Sequence, residues 1–534
     1  MSKKTESIES EAPPAWLGQL AGILSASVKP PAAPKVSKQS KPVRNPDSEF
    51  LDFIIAPKLS GALKSRGPFK MFCSISDTGK QLINIYEWRK NSWKYINDIE
   101  GKTIVQSWMM DDFELKLKYS DKRAAAVWEG AKTRLSRDDA LPAIINGEDD
   151  VITEGKTLNR GKPVIFPLMN HYLVLKDGKV LIENPNPEYH MRHVLNFDIG
   201  PFLFNDQTEY QPQPVDPKTK FGEYLYRTFP DPEVRAVVQE FFASAFFETS
   251  FQKCLWLIGP GSNGKSTLNK ILQKVVPSFR ATSFKALKGE FALHNLMPAT
   301  AIGISEVIEG STIEEDIFKQ LVGGDEMSVN RKNKDIINHR FLAKFFMAVN
   351  VFPHIKDTTN GFWRRSTVVE VNNSLSDDAM ILDYENQIVS SSASMICLLD
   401  WIIEGALRII ARGNIIPDSE MPKSIQDTKT RLRYKNNSVA QWLDCVELRF
   451  CEDGEEYMSK ASLLSSYQEF CYEVLGGKQP MGEERFWENI RLKLNINELK
   501  ASNLRRNGKQ TPVVPLTLAP KKTELDKIMD IPFA

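Results

Sequence analysis

Residues 254–275 constrain this chain more than any other stretch. CLWLI (254–258) is an apolar run of strand length. Gly259, Pro260, Gly261, Ser262, Asn263, Gly264, Lys265, Ser266 and Thr267 follow at once, and LNKILQKVV then carries apolar residues at helical spacing. G-x-x-x-x-G-K-[ST] between a buried strand and a helix requires an α/β core, because its glycines turn successive backbone N–H groups inward at the amino end of a helix. In that setting Lys265 reaches the β- and γ-phosphates of a nucleotide and Ser266 offers its hydroxyl to a metal. ATP and Mg²⁺ are the expected ligands, with residues 259–267 binding them.

Three later strand ends supply the other groups that such chemistry needs. TAIGIS (300–305) reads as a buried strand leading into Glu306, placed to polarise the attacking water and to share the metal with Ser266. KFFMAVN (344–350) ends in Asn350, whose amide can orient water against the γ-phosphate. GFWRR (361–365) sets Arg364 and Arg365 ahead of the strand STVVEV. An arginine stabilises charge developing in phosphoryl transfer, and ring ATPases commonly deliver one across a subunit interface.

The rest of the chain bounds these features. At 534 residues it holds three to five folding units, and with 42 % hydrophobic and 26 % charged residues most of it is globular. Lys plus Arg (69) balances Asp plus Glu (68), so attraction to nucleic acid must be local. Cys73, Cys254, Cys397, Cys445, Cys451 and Cys471 show neither disulfide nor zinc spacing. With no secretion signal or membrane span legible, this predicts a reducing, cytoplasmic location.

Residues 1–48 hold seven prolines and a run of five basic residues from Lys29 to Arg44, a composition that cannot bury a core and reads as a disordered arm. Within it PAWLGQLAGIL (14–24) suits a short amphipathic helix. Residues 49–165 read as an α+β domain. There Trp88, Arg89, Lys90, Trp93, Lys94 and Tyr95 fit two readings: a single-strand stacking surface, or half-buried aromatics of a hairpin. No histidine precedes His171, so this domain lacks one for a nucleotidyl-transfer site.

Taken in order, GPGSNGKST, ISE, KQLVGGDEMSVNRKNKD, FFMAVN and GFWRR resemble the superfamily 3 helicase domain of phage and plasmid primase–helicases, the group that includes the poxvirus and satellite-phage proteins. The resemblance covers about 166–520, and Ser305 stands where many members carry a second acid. It implies an ATP-hydrolysing DNA helicase with an AAA+-like core, built as a homo-hexameric ring that draws single-stranded DNA through its channel at a fork. It also implies a helical collar over 166–250, the ATPase core over 251–372, a helical lid over 373–436 and a winged-helix-like domain over 437–520. Met327–Phe341 corresponds to a hairpin in the channel, which makes Arg331, Lys332 and Lys334 the expected DNA contacts. Arg505, Arg506 and Lys509 would flank the wing's Asn507-Gly508 turn. The tail 521–534 ends in DKIMDIPFA, which fits two readings, a likeness to the acidic tip of bacterial single-strand-binding proteins with Ala534 added or a chance match; other replication proteins are the further partners expected. The rival function is an origin-binding initiator whose ATPase is an assembly switch.

Overall fold

The computed structural model describes residues 45–55, 69–75, 81–134, 163–204, 207–305, 313–332, 334–355, 360–373, 383–452, 455–506 and 509–520. Glu306, nearly all of the arm, the Asn507-Gly508 turn and the tail lie outside them, as do the side chains of Cys73, Lys334, Arg505, Arg506 and Lys509.

The described chain begins with α1 (Pro46–Ile55) and the antiparallel strands β1 (Phe69–Ile75), β2 (Gln81–Arg89) and β3 (Ser92–Ile96), then α2 (Asp98–Met110), α3 (Phe113–Lys116) and α4 (Asp121–Arg134). Asn97 and Asp112 start α2 and α3 by accepting from first-turn N–H groups. Trp128 fills the core with Phe50, Ile85 and Val105. A Cβ at Gly101 would lie 2.1 Å from its ring, so α2 and α4 approach this closely only over a glycine.

A second antiparallel sheet follows: β4 (Val164–Pro167), β5 (Tyr172–Lys176) and β6 (Lys179–Glu183). The expectation of a helical collar over 166–250 is corrected here, because helix begins only at α5 (Lys220–Thr228) and α6 (Pro232–Ser244). YLVLK and KVLIE flank Asp177-Gly178, whose positive φ angles of 51° and 75° close a tight hairpin turn. The two sheets meet through hydrogen bonds. Trp93 donates its backbone N–H to Met191 O at 2.7 Å and its ring N–H to Pro187 O at 2.9 Å, and Tyr172 Oη donates to Asn91 O at 2.6 Å. The aromatic run at 88–95 therefore packs as a hairpin against its neighbour: Trp93 is buried, Trp88 lies edge-on to it, and only Tyr95 presents an exposed ring.

The central sheet is built from β7 (Cys254–Ile258), β8 (Phe279–Thr282), β9 (Ala301–Ile304), β12 (Lys344–Val349) and β13 (Ser366–Glu370). It encloses α7 (Lys265–Val275), α8 (Ala292–Leu296), α9 (Glu315–Gly323), the hairpin strands β10 (Glu326–Arg331) and β11 (Lys334–Arg340), and α10 (Asn360–Trp363). All five strands are parallel, in the order β13-β7-β12-β9-β8. Strands β7, β9 and β12 are buried on both faces, which their unbroken apolar runs reflect.

The connection from β7 runs toward β8 at one edge, whereas those from β8, β9 and β12 step back the other way. Right-handed crossovers put these connections on opposite faces. Accordingly Leu255 and Leu257 pack with α7, and Trp256 and Ile258 pack with α8, α9 and α10. The sheet therefore has its switch point at the carboxyl ends of β7 and β12, where open α/β sheets bind ligands.

Helices α11 (Tyr384–Ser390), α12 (Ser392–Arg412) and α13 (Lys423–Asn436) cover the α7 face and lead into the last module. That module comprises α14 (Ser438–Cys445), β14 (Val446–Phe450), β15 (Met458–Ser459), α15 (Lys460–Glu473), α16 (Glu483–Leu494), β16 (Ser502–Arg506), β17 (Lys509–Val514) and β18 (Leu516–Pro520), around Trp442, Tyr467 and Phe486. No helix among the described residues is long and apolar enough to cross a membrane.

Candidate functional site

The 259–264 loop leaves β7 at the switch point and is held from three sides. Gly259 has φ +149°, and a Cβ there would lie 2.1 Å from Val371 O, so only glycine lets the loop pass the end of β13. Gly264 has φ +89°, and a Cβ there would lie 2.7 Å from Thr228 Oγ1. Tyr224 Oη, from the buried face of α5, donates to Gly264 O at 3.0 Å. Asn263 Nδ2 donates to Val371 O across the loop.

Lys265 begins α7 and is buried. Its ammonium donates to Gly259 O at 2.9 Å, Pro260 O at 2.6 Å and Asn263 Oδ1 at 2.8 Å, and burial lowers its pKa. Gly264, the cap residue of this 11-residue helix, has no side chain to cap it, and Ser266 is exposed in its first turn. The first-turn N–H groups, of which Lys265 N donates to Asn263 Oδ1 at 3.4 Å, the positive helix end and a lysine at one point make a seat for an anion with several oxygens.

Strand register places the other groups. Val349 pairs with Ile258, so Asn350 emerges, exposed, opposite Gly259 on the neighbouring strand, about 4.8 Å away between chains. Ile304 pairs with Met347, so Ser305 leaves at the same edge; Glu306 follows it outside the described residues. Beside the loop a cavity of about 270 Å³ opens between α5, α6, β13 and α13. Phe229, Val234, Val369 and Ile425 give it apolar walls, and Asn372 and Asn373 lie at its edge.

Arg364 and Arg365 lie elsewhere. Arg365 O accepts from Cys254 N at 2.8 Å at the amino end of β7, which puts the arginines a strand length, about 16 Å, from the loop at its other end. One chain does not bring them to its own Lys265. The two also differ from each other. Arg365 is buried, donates from Nη1 to Gly361 O at 2.9 Å, and has its pKa lowered by burial. Arg364 is exposed and lines a cleft of about 510 Å³ with Gln252, Lys253, Arg412 and Asn414.

The β10–β11 hairpin rises from this same amino edge. Arg331 pairs with Lys334 at its end, where Lys332 is exposed and Arg331 half-buried. Tyr224, Thr228, Asn372 and Asn373 are the groups around the loop that the sequence reading passes over. Tyr224 sits at ordinary core spacing in KFGEYLYRT, and nothing but its hydroxyl distinguishes it from the packing around it.

The profile of a family of unknown function, DUF5906, matches residues 257–365, which takes in the loop, Asn350 and both arginines. A search of curated proteins finds no match. Among solved structures, the A form of the apo NrS-1 C-terminal region is similar at 13 % identity and a TM-score of 0.34, covering 67 % of this chain and 97 % of that one. A second apo structure of the NrS-1 C-terminal region gives 13 % identity and a TM-score of 0.35 over the same shares.

Proposed function

We propose that the protein is an ATP-hydrolysing DNA helicase of the superfamily 3 type, serving replication of a phage or mobile element as a hexameric ring on single-stranded and forked DNA. The observation that carries the reading is the seat at the end of β7: two positive-φ glycines, the amino end of α7 and Lys265, with Asn350 beside them on the next strand. The strand-end register is what in-line phosphoryl transfer needs, since donor and water-orienting groups must face the same few ångströms.

In this reading residues 259–267 form a P-loop that wraps the phosphates, and Lys265 exchanges its three loop oxygens for β- and γ-phosphate oxygens. The base enters the cavity between Phe229 and Ile425, where Asn372 and Asn373 offer amides to its edge. Ser266 would hold Mg²⁺ with Glu306 next to it; when bound, the ion supplies positive charge against the phosphates. Glu306 polarises the water that Asn350 orients. Exposure favours Arg364 as the arginine reaching the next subunit, and Arg365, enclosed within its own chain, is set aside from that role.

The initiator reading draws on the last module, whose three helices and β15-β17-β16 sheet resemble a winged helix. Against it, α16 opens with Glu483 and Glu484, acids that phosphates repel. Stimulation of ATP hydrolysis by single-stranded DNA, followed by unwinding of a labelled fork, is the expected result. Tight duplex binding with no unwinding would favour the initiator, and no ATP hydrolysis at all would remove both.

A further inference from the structure

Arg365 is a long charged side chain enclosed in its own subunit, at a place where a small apolar residue would cost less to bury. Its surroundings point to what it joins. On one side Nη1 holds Gly361 O, in the short helix that directly precedes Arg364. On the other, Nη2 approaches Gly323, the last residue of α9 before the hairpin. A Cβ at Gly323 would stand 3.2 Å from Arg365 Nη2 and 3.3 Å from Asp325 Oδ2, so guanidinium and carboxylate flank the same glycine. Burial and then the neighbouring Arg364 lower the Arg365 pKa, the Asp325 charge works against both, and Nε has no hydrogen-bond partner among the described residues.

The turn between α9 and β10 is itself tightly fixed. Ser250 Oγ donates to Gly323 O at 2.8 Å, and Arg340 Nε, from β11, donates to Gly324 O at 2.6 Å. Gly324 has φ +72°, and a Cβ there would lie 2.6 Å from Ser250. The guanidinium thus stands between residues 361–364 and a stiff turn, from which β10 runs to the hairpin end at Arg331 and Lys332. An apolar side chain would fill the space without pulling.

We propose that Arg365 is a positioning residue that ties the loop bearing Arg364 to the foot of the β10–β11 hairpin, so that ATP at a subunit junction and DNA at the hairpin sense one another. This rests on the helicase reading above. The quantity it predicts is a linkage: the factor by which a nucleotide changes DNA affinity.

The test measures anisotropy of a fluorescent oligo-dT at fixed salt, with and without a non-hydrolysable ATP analogue. The wild-type protein should show a change in Kd of fivefold or more. Arg365→Gln should bring that factor to within twofold of one. Arg365→Lys, which keeps the charge but cannot span both sides, should restore no more than part of it. Asp325→Asn should also reduce the factor, and the double variant should add little beyond either change. Gly323→Ala guards against a folding artefact, since it leaves every charge in place and adds helix propensity while setting a methyl between guanidinium and carboxylate. It too should lose the factor while keeping the wild-type thermal melt.

A full wild-type factor in folded Arg365→Gln and Gly323→Ala variants overturns the inference and leaves the helicase reading standing. A wild-type protein that binds both ligands but shows no factor overturns it equally. A wild-type protein that binds neither ATP nor DNA overturns the helicase reading, and the inference with it.

Discussion

Replacing Lys265 by alanine tests the seat at the end of β7 directly, and the structure sets the size of the effect. A lysine about 4 Å from a phosphate charge near the protein surface gains roughly 4 kcal/mol at an effective dielectric of 20. Against this, the ammonium must give up Gly259 O, Pro260 O and Asn263 Oδ1, charge-assisted bonds of 2.6–2.9 Å that recover part of their worth from water. The net loss in Lys265→Ala is about 2–4 kcal/mol, or roughly 30- to 1000-fold in ATP affinity. The fold should survive, because Pro260 is exposed and Gly259 half-buried, so water replaces the ammonium at their carbonyls. Titration calorimetry with ATP, beside a thermal melt of the free protein, checks both halves. A well-folded Lys265→Ala protein that binds ATP within threefold of wild type, or hydrolyses it normally, would refute the reasoning.

The remaining tests separate the other groups. Because Arg364 and Lys265 lie at opposite ends of β7, mixing Arg364→Ala with Lys265→Ala chains should restore ATPase at mixed junctions, and a mixture of co-assembled chains with no recovery would count against a trans arginine. Neutralising Lys332 and Lys334 together should leave basal ATP hydrolysis intact but flatten the salt dependence of single-strand binding by about 1.4 in log–log slope for each subunit engaged; normal fork unwinding by that variant would refute the hairpin's role. Burial, and then the nearby Lys94, lowers the His193 pKa to about 4, so His193 is neutral in the folded protein near neutral pH. Its contribution, at most about 3 kcal/mol, should be complete above pH 6.5 and fall away as the pH drops toward 4. Urea melts followed by tryptophan fluorescence should show that loss, and His193→Gln should flatten it; an unchanged pH slope in the variant would refute the assignment.

What could be read in the sequence follows from how each element is buried. Strands β7, β9 and β12 lie inside the sheet, and β13, though at its edge, is buried beneath α13, so the apolar runs CLWLI, TAIGIS, KFFMAVN and STVVEV mark them without a structure. Strand β8 is an edge strand with Arg280 and Ala281 exposed, and FRAT carries no such signal. The order β13-β7-β12-β9-β8 is likewise invisible, because it depends on which way each crossover turns and not on the composition of any one strand. Asp177-Gly178 between two apolar runs is a strong short-range hairpin mark, and it sits where a helical collar was expected.

The two arginines show where a one-dimensional reading stops. Arg364 and Arg365 are adjacent, equally charged and both just ahead of a strand, so any motif that admits one admits the other. Entry into β13 separates them. Arg365 directly precedes Ser366, its carbonyl is bound by Cys254 N, and its side chain turns into the protein beside Gly323; Arg364, one residue earlier, is left in solvent. The same register that puts Asn350 opposite Gly259 at the carboxyl edge thus sorts the arginines at the amino edge. The ring proposed above would use this separation, because a neighbour placed head to tail sets the amino edge of one subunit, with Arg364, against the carboxyl edge of the next, with Lys265.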